Sequence, residues 1–168
     1  MANTTFSGPV RSESTLKTVS KNSSTGAITE VTTLGDGPVS LSDGDVTLTN
    51  ATHSGRVLLV TDWGQDNTYT LPAPIAGSVF RFVYAGGAAD ATDAIILTPG
   101  NTNFFVGGVT FLDTDNEVSA VFSDGNSNSK IQLNVPAGFD VTIIGKDTTN
   151  YQIFGNVTGA TAPTFADQ

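Results

Sequence analysis

Beyond about residue 25, apolar positions recur at every second residue, and clusters of Gly, Asp, Asn and Pro interrupt them every 8 to 14 residues. A period of two sends successive side chains to opposite faces of an extended chain, so the pattern predicts strands. Ile131, Leu133 and Val135 alternate with Lys130, Gln132 and Asn134, as expected of a half-buried antiparallel strand. Phe80, Phe82 and Tyr84 share one face of a strand, with Val79, Arg81 and Val83 on the other. Residues 28–34 form a β-branched run, Val46-Thr47-Leu48-Thr49 alternates, and residues 56–61 read as a mostly buried strand. Further strands are expected at 94–98, 103–112, 117–123, 140–144 and 150–157. Asp43-Gly44, Ala85-Gly86-Gly87, Pro99-Gly100, 113–116 and Asp124-Gly125 supply the turns between them. No stretch has a helical period, and no repeat marks a solenoid or propeller. The expected fold is all-β: an antiparallel β-sandwich or β-barrel, jelly-roll-like, over residues 25–157.

Composition removes the alternatives. The 168 residues include 25 Thr, 18 Gly, 14 Ser and 12 Asn, with only 14% charged residues. Three Glu and four Lys are too few for a helical bundle or coiled coil. Sixteen Val, ten Leu, eight Ile and ten Phe supply a core, which argues against disorder. The net charge of −9 repels polyanions, so nucleic acid is not an expected partner. No apolar run is long enough to span a membrane as a helix, and the opening residues lack the features of a signal peptide. Cysteine is absent, which removes disulfides, thiolate nucleophiles and Cys-ligated metals. Four Asn-x-Ser/Thr sequons, at Asn3, Asn22, Asn50 and Asn156, match chance in so Thr-rich a chain.

The charge is unevenly placed. Residues 1–24 hold Arg11, Lys17 and Lys21 against Glu13, a net of +2, and the remaining 144 carry −11. That first segment is polar, with scattered Phe6, Val10, Leu16 and Val19 and no sustained period. It reads as an extended N-terminal arm able to reach roughly 80 Å, suited to a partner or a neighbouring subunit. Residues 158–168 read as a polar tail with one anchor candidate, Phe165.

Candidate chemistry is sparse, and no enzyme, cofactor or metal site is expected. His53 is the single histidine and lies in a turn-like stretch; most zinc sites need a second His or a Cys. Gly145-Lys146 lacks the flanking residues of a phosphate loop, and no Gly-x-Ser-x-Gly elbow occurs. The best Ca²⁺-loop candidate, Asp113-Thr114-Asp115-Asn116-Glu117, places Val118 where the loop requires glycine, so a hairpin turn is the simpler reading. The remaining aspartates suit turn formation. Trp63 could offer a stacking platform for a sugar, although single tryptophans more often serve packing. Phe104 and Phe105 are adjacent, so they cannot both enter one core. One suits inter-sheet packing; the other is a candidate for a second layer or a subunit interface.

Two stretches carry a resemblance. The opening ANTTFSGPVRSE (residues 2–13), followed by residues 17–21, resembles the N-terminus of virion structural proteins of tailed bacteriophages, particularly capsid decoration (cement) proteins of the marine, cyanophage type. In the body, Val46-Thr47-Leu48-Thr49, TLPAPIAG (70–77), Phe80-Arg81-Phe82, Ile96-Leu97-Thr98-Pro99-Gly100 and Tyr151-Gln152-Ile153-Phe154-Gly155 succeed one another as in β-rich modules of phage head and tail decorations. The resemblance implies a homotrimeric β-sandwich or β-barrel on the outer surface of the capsid. There it would bridge neighbouring major capsid subunits and stabilise the expanded, DNA-filled head. It implies the major capsid protein and further copies of this chain as partners, and Phe6, Val10, Arg11, Leu16 and Lys17 as capsid contacts. The alternative it leaves open is a phage fibre or receptor-binding module recognising a host glycan.

Overall fold

A computed structural model describes residues 17–33, 37–87, 89, 91–115 and 117–168. The chain divides into two compact units, residues 1–37 and 38–168.

In the first unit, β1 (Lys17–Lys21) and β2 (Ile28–Thr33) pair antiparallel as a hairpin. Its turn is built locally. The Asn22 side-chain oxygen accepts the N–H groups of Ser24 and Thr25 at 2.9 and 3.0 Å, and Gly26 takes a φ of +72°. The arm boundary expected after residue 24 therefore falls inside a turn, and the unit runs on to residue 37.

The second unit is an all-β sandwich. Its elements are β3 (Val39–Ser40), β4 (Val46–Thr47), a single helical turn α1 (Asn50–His53), β5 (Arg56–Val60), β6 (Asn67–Thr70), β7 (Val79–Tyr84), β8 (Ala94–Leu97), β9 (Phe104–Asp113), β10 (Val118–Phe122), β11 (Lys130–Leu133), β12 (Pro136–Gly145), β13 (Asn150–Gly159) and β14 (Thr164–Ala166). One sheet runs β10-β9-β13-β12-β7-β5-β3 and the other β14-β11-β8-β6-β4.

Both sheets are mixed, where an antiparallel sandwich was expected. From β3 to β8 the chain changes sheet at every strand, so each sheet grows by parallel addition: β3, β5 and β7 in one, β4, β6 and β8 in the other. β13 also pairs parallel with β9. Antiparallel pairing joins β9 to β10, β7 to β12, β12 to β13, and β11 to both β8 and β14. The physical reason is that alternation records which face is buried, and is silent about which strand lies alongside.

The core lies between the sheets. Phe80, Phe82, Phe105, Val141, Ile143, Tyr151 and Ile153 of the larger sheet meet Tyr69, Ile96, Ile131 and Leu133 of the smaller one, and all are buried. Aromatic rings bridge the layers: Tyr69 lies 5.9 Å from Phe82, and Phe105 lies 6.3 Å from Phe165. Two polar residues reinforce the same layers. Asn67 is buried; its side-chain oxygen accepts the Gly44 N–H at 2.6 Å, and its amide donates to Asp43 at 3.3 Å. Thr98 is buried too, its hydroxyl donating toward the carbonyls of Asn103 at 2.8 Å and Gly100 at 3.0 Å.

Two details depart from the sequence pattern. Val135 was expected on the buried face of its strand. It is instead exposed, with φ +39°, in the turn joining β11 to β12. Residues 158–168, read as a tail, carry the end of β13 and all of β14, which pairs with β11 and packs Phe165 against the core. In 70–77, Pro72 and Pro74 do separate two strands, and Gly77 takes φ +87° before β7 begins.

Candidate interaction surface

The surface of interest follows from strand parity. On the seven-stranded sheet, odd positions of β9 and β13 point inward at Phe105, Val109, Phe111, Tyr151, Ile153 and Val157. Even positions therefore point outward, and several are apolar. Phe122 and Val118 are each 70% exposed, Phe154 is 47% exposed and Leu112 37%. Val118 sits directly across from Leu112, and Phe122 directly across from Gly108. A Cβ on Gly108 would lie 2.3 Å from the Val121 carbonyl oxygen and 2.7 Å from the Phe122 ring, so the missing side chain lets the β10 backbone and that ring come close to β9.

Further across the same face is a shallow concavity of about 250 Å³, lined by Arg81, Asp140, Thr142, Phe154, Gly155 and Asn156. Arg81 meets Asp140 as a fork, Nε to Oδ1 at 2.8 Å and Nη2 to Oδ2 at 2.5 Å. These hydrogen bonds hold the Asp140 carboxyl below the usual carboxylate range, against an opposing desolvation effect. The stabilisation from Asp140 is therefore present above the unfolded carboxylate range and is lost as pH falls through its lowered value. Both side chains are partly open to water, so screening keeps the pair's contribution small. Arg81 and Asp140 lie on adjacent strands, β7 and β12, two residues from direct opposition: Arg81 faces Thr142 and Asp140 faces Val83.

Several aspartates outside this face build turns. After β10, Asp124 accepts the N–H groups of Asn126, Ser127 and Asn128 at 3.0–3.1 Å and the Ser127 hydroxyl at 2.6 Å. That set of donors pushes its carboxyl far below the ordinary range. Asp147 does the same between β12 and β13, accepting from Thr149 and Asn150 at 2.7 Å each, and its carboxyl is also lowered. Asp113 to Glu117 is the β9–β10 connection, closed by the Asp113 N–H donating to the Glu117 carbonyl at 2.9 Å. Among the described residues no three His, Cys, Asp or Glu side chains converge as a metal site.

The two remaining sequence candidates are bound into local structure. Trp63 is half-buried against the core and donates its indole N–H to the Tyr69 hydroxyl at 3.2 Å. His53 ends the helical turn α1, with Nδ1 accepting from the Thr49 N–H at 3.0 Å. No helix among the described residues is long and apolar enough to cross a membrane.

Of the residues assigned to capsid contact, Phe6, Val10, Arg11 and Leu16 lie outside the described residues, and Lys17 opens β1. Phe105 is buried between Tyr151 and Phe165, and Phe104 is half-buried at the start of β9. The sequence pattern does not single out Phe122, Val118, Leu112 and Phe154 as an exposed band. The available signal was that Val118 and Phe122 fall four residues apart in a strand, hence on one face, with Ala120 between them.

Comparison with models of known protein families finds no match to this chain, and a search of curated proteins finds none either.

Proposed function

We propose that this chain is a virion structural protein that binds the outside of a tailed-phage head, bridges neighbouring major capsid subunits and stabilises the expanded capsid. The observation that carries the reading is a division of labour within the chain. Residues 38–168 form a closed body with a dense aromatic and aliphatic interior, and residues 1–37 form a separate unit. That first unit holds Arg11, Lys17 and Lys21, three of the chain's seven cations. Cementing a shell requires a body that does not deform and a segment that reaches across a subunit boundary. It requires no active site.

Glu13, Glu30 and Asp36 balance the three cations of the first unit, so the −9 of the chain resides in the second. The cations cluster in its leading part, and there we place the shell contacts Phe6, Val10, Arg11, Leu16 and Lys17. Homotrimers at three-fold positions would follow from the symmetry of such a site, gathered there by the shell lattice itself.

Because β1 begins at Lys17, the informative deletion is residues 2–16, which leaves the hairpin whole. The shortened protein is expected to keep its unfolding transition and to lose co-sedimentation with expanded heads. Equal sedimentation of the two forms would refute the assignment of the arm.

A second reading, a fibre-associated module that binds a host glycan, draws on the concavity at Phe154. The Phe154 ring beside Arg81, Asp140 and Asn156 offers apolar contact and planar hydrogen bonding to a sugar. Under that reading Phe154→Ala would abolish adsorption to host cells and leave the unfolding transition of the body unchanged.

A further inference from the structure

Among the described residues, the four sheet edges of the body are not alike. β3 and β4 are two residues long and β14 is three. Such short edges give a passing strand little to pair with, a common protection against association. The fourth edge, β10, is five residues, Val118-Ser119-Ala120-Val121-Phe122, with no charge and no proline. It ends the seven-stranded sheet and lacks the usual guards.

Its backbone groups can be assigned to sides. The Asp113 N–H donates to the Glu117 carbonyl, and the Ser123 N–H donates to the Gly107 carbonyl, each at 2.9 Å. Positions 117 and 123 therefore point toward β9, and so do 119 and 121 between them. Val118, Ala120 and Phe122 present their N–H and C=O groups to the free side. The same three residues carry their side chains on the outer face, where Val118 and Phe122 are the most exposed large apolar groups of the sheet.

This strand is complementary to itself. Laid antiparallel on a second copy about Ala120, Val118 faces Phe122 of the other copy, Ala120 faces Ala120, and Phe122 faces Val118. All three are outward-pointing positions, and each such pair exchanges two N–H···O=C bonds. Every facing pair is apolar, and the Phe–Val pairs combine an aromatic with a β-branched side chain. A shift by one residue would bring Ser119 and Val121, whose backbone groups are already bonded to β9, against the partner.

We propose that two copies of this chain associate edge to edge through β10, joining their seven-stranded sheets into one. The contact is isologous and closes on a two-fold axis. It stands independently of the capsid reading, since heads are not needed to observe it. Charge sets its salt dependence. The register brings Glu117 opposite Ser123 of the second copy and one residue from its Asp124, so like charges gather at each end. Added salt screens them, and the pair tightens.

Sedimentation equilibrium of the full chain tests this. The wild type is expected to show an even-numbered mass that strengthens with ionic strength. Ala120→Pro removes only an N–H on the free side and places the proline ring across the edge. It should raise the dissociation constant roughly tenfold or more. The double variant Val118→Lys, Phe122→Lys should do the same without altering the backbone, and the unfolding transitions of both report whether the body is intact. An odd-numbered or monomeric wild type overturns the proposal and assigns the edge to another protein's strand or to none. Association that survives both variants overturns it, as does association that loosens with salt, which would indicate attraction between the basic segment and the acidic body.

Discussion

Replacing Tyr151 by alanine is expected to lower the unfolding free energy of the body by about 3–5 kcal/mol. The ring is fully buried in β13, 6.3 Å from Phe80 and 6.4 Å from Phe105. Removing it leaves a cavity between these two aromatics that a closed sandwich cannot collapse around. The hydroxyl has a separate role, donating to the Pro72 carbonyl at 2.7 Å and thereby tying the 70–77 connection to the larger sheet. Tyr151→Phe isolates that bond and should cost about 1–2 kcal/mol. Denaturant unfolding of the two variants gives both values; an alanine variant within about 1 kcal/mol of wild type would contradict the packing of this core.

The same residue makes a pH prediction. Burial raises the Tyr151 phenol above its ordinary value, because the ionised form loses its hydration. A group raised in the folded state stabilises the fold fully below its unfolded value, about pH 10, and that contribution falls as pH climbs above it. The stability difference between wild type and Tyr151→Phe should therefore shrink above about pH 10. A difference that stays constant to higher pH would contradict the burial of the hydroxyl.

Gly155→Val is the second large effect. Gly155 interrupts β13 at φ +147°, and a Cβ there would stand 2.1 Å from the Asp140 carbonyl oxygen and 2.8 Å from the Val141 Cα. These contacts are backbone atoms of β12, the strand at the centre of the larger sheet, so neither can move aside without breaking the ladder. Strained dihedrals and overpacking each cost about 1–3 kcal/mol, and valine incurs both. The melting temperature should fall by about 10 °C or more. It should also open the register beside the Arg81–Asp140 pair. A variant that melts with the wild type would show that β12 and β13 do not approach as described.

Much of this architecture could be read from the sequence, for reasons visible in single elements. Phe80 and Phe82 alternate with Val79, Arg81 and Val83 so regularly that β7 and its buried face follow directly. Ile131 and Leu133 did the same for β11, but the pattern ran on to Val135, where the backbone turns and the side chain leaves the core. β6 escaped notice because Asn-Thr-Tyr-Thr looks polar. Asn67 is buried through hydrogen bonds to residues 43 and 44, which lie far away in sequence. β14 was missed for a similar reason, its one strong apolar residue being Phe165. The parallel winding of β3 to β8 left no local trace at all, since partners in each sheet are separated by a strand of the other. The exposed band was legible in spacing alone: Val118 and Phe122 share a face. That the face is the outer one depends on the pairing of β10 with β9.

Immunoelectron microscopy of virions with antibodies against residues 38–168 reports where on the particle this chain sits. Label distributed over the head surface, in register with the shell lattice, is the predicted result. Label confined to the tail or its fibres, or absent from intact particles, would contradict it.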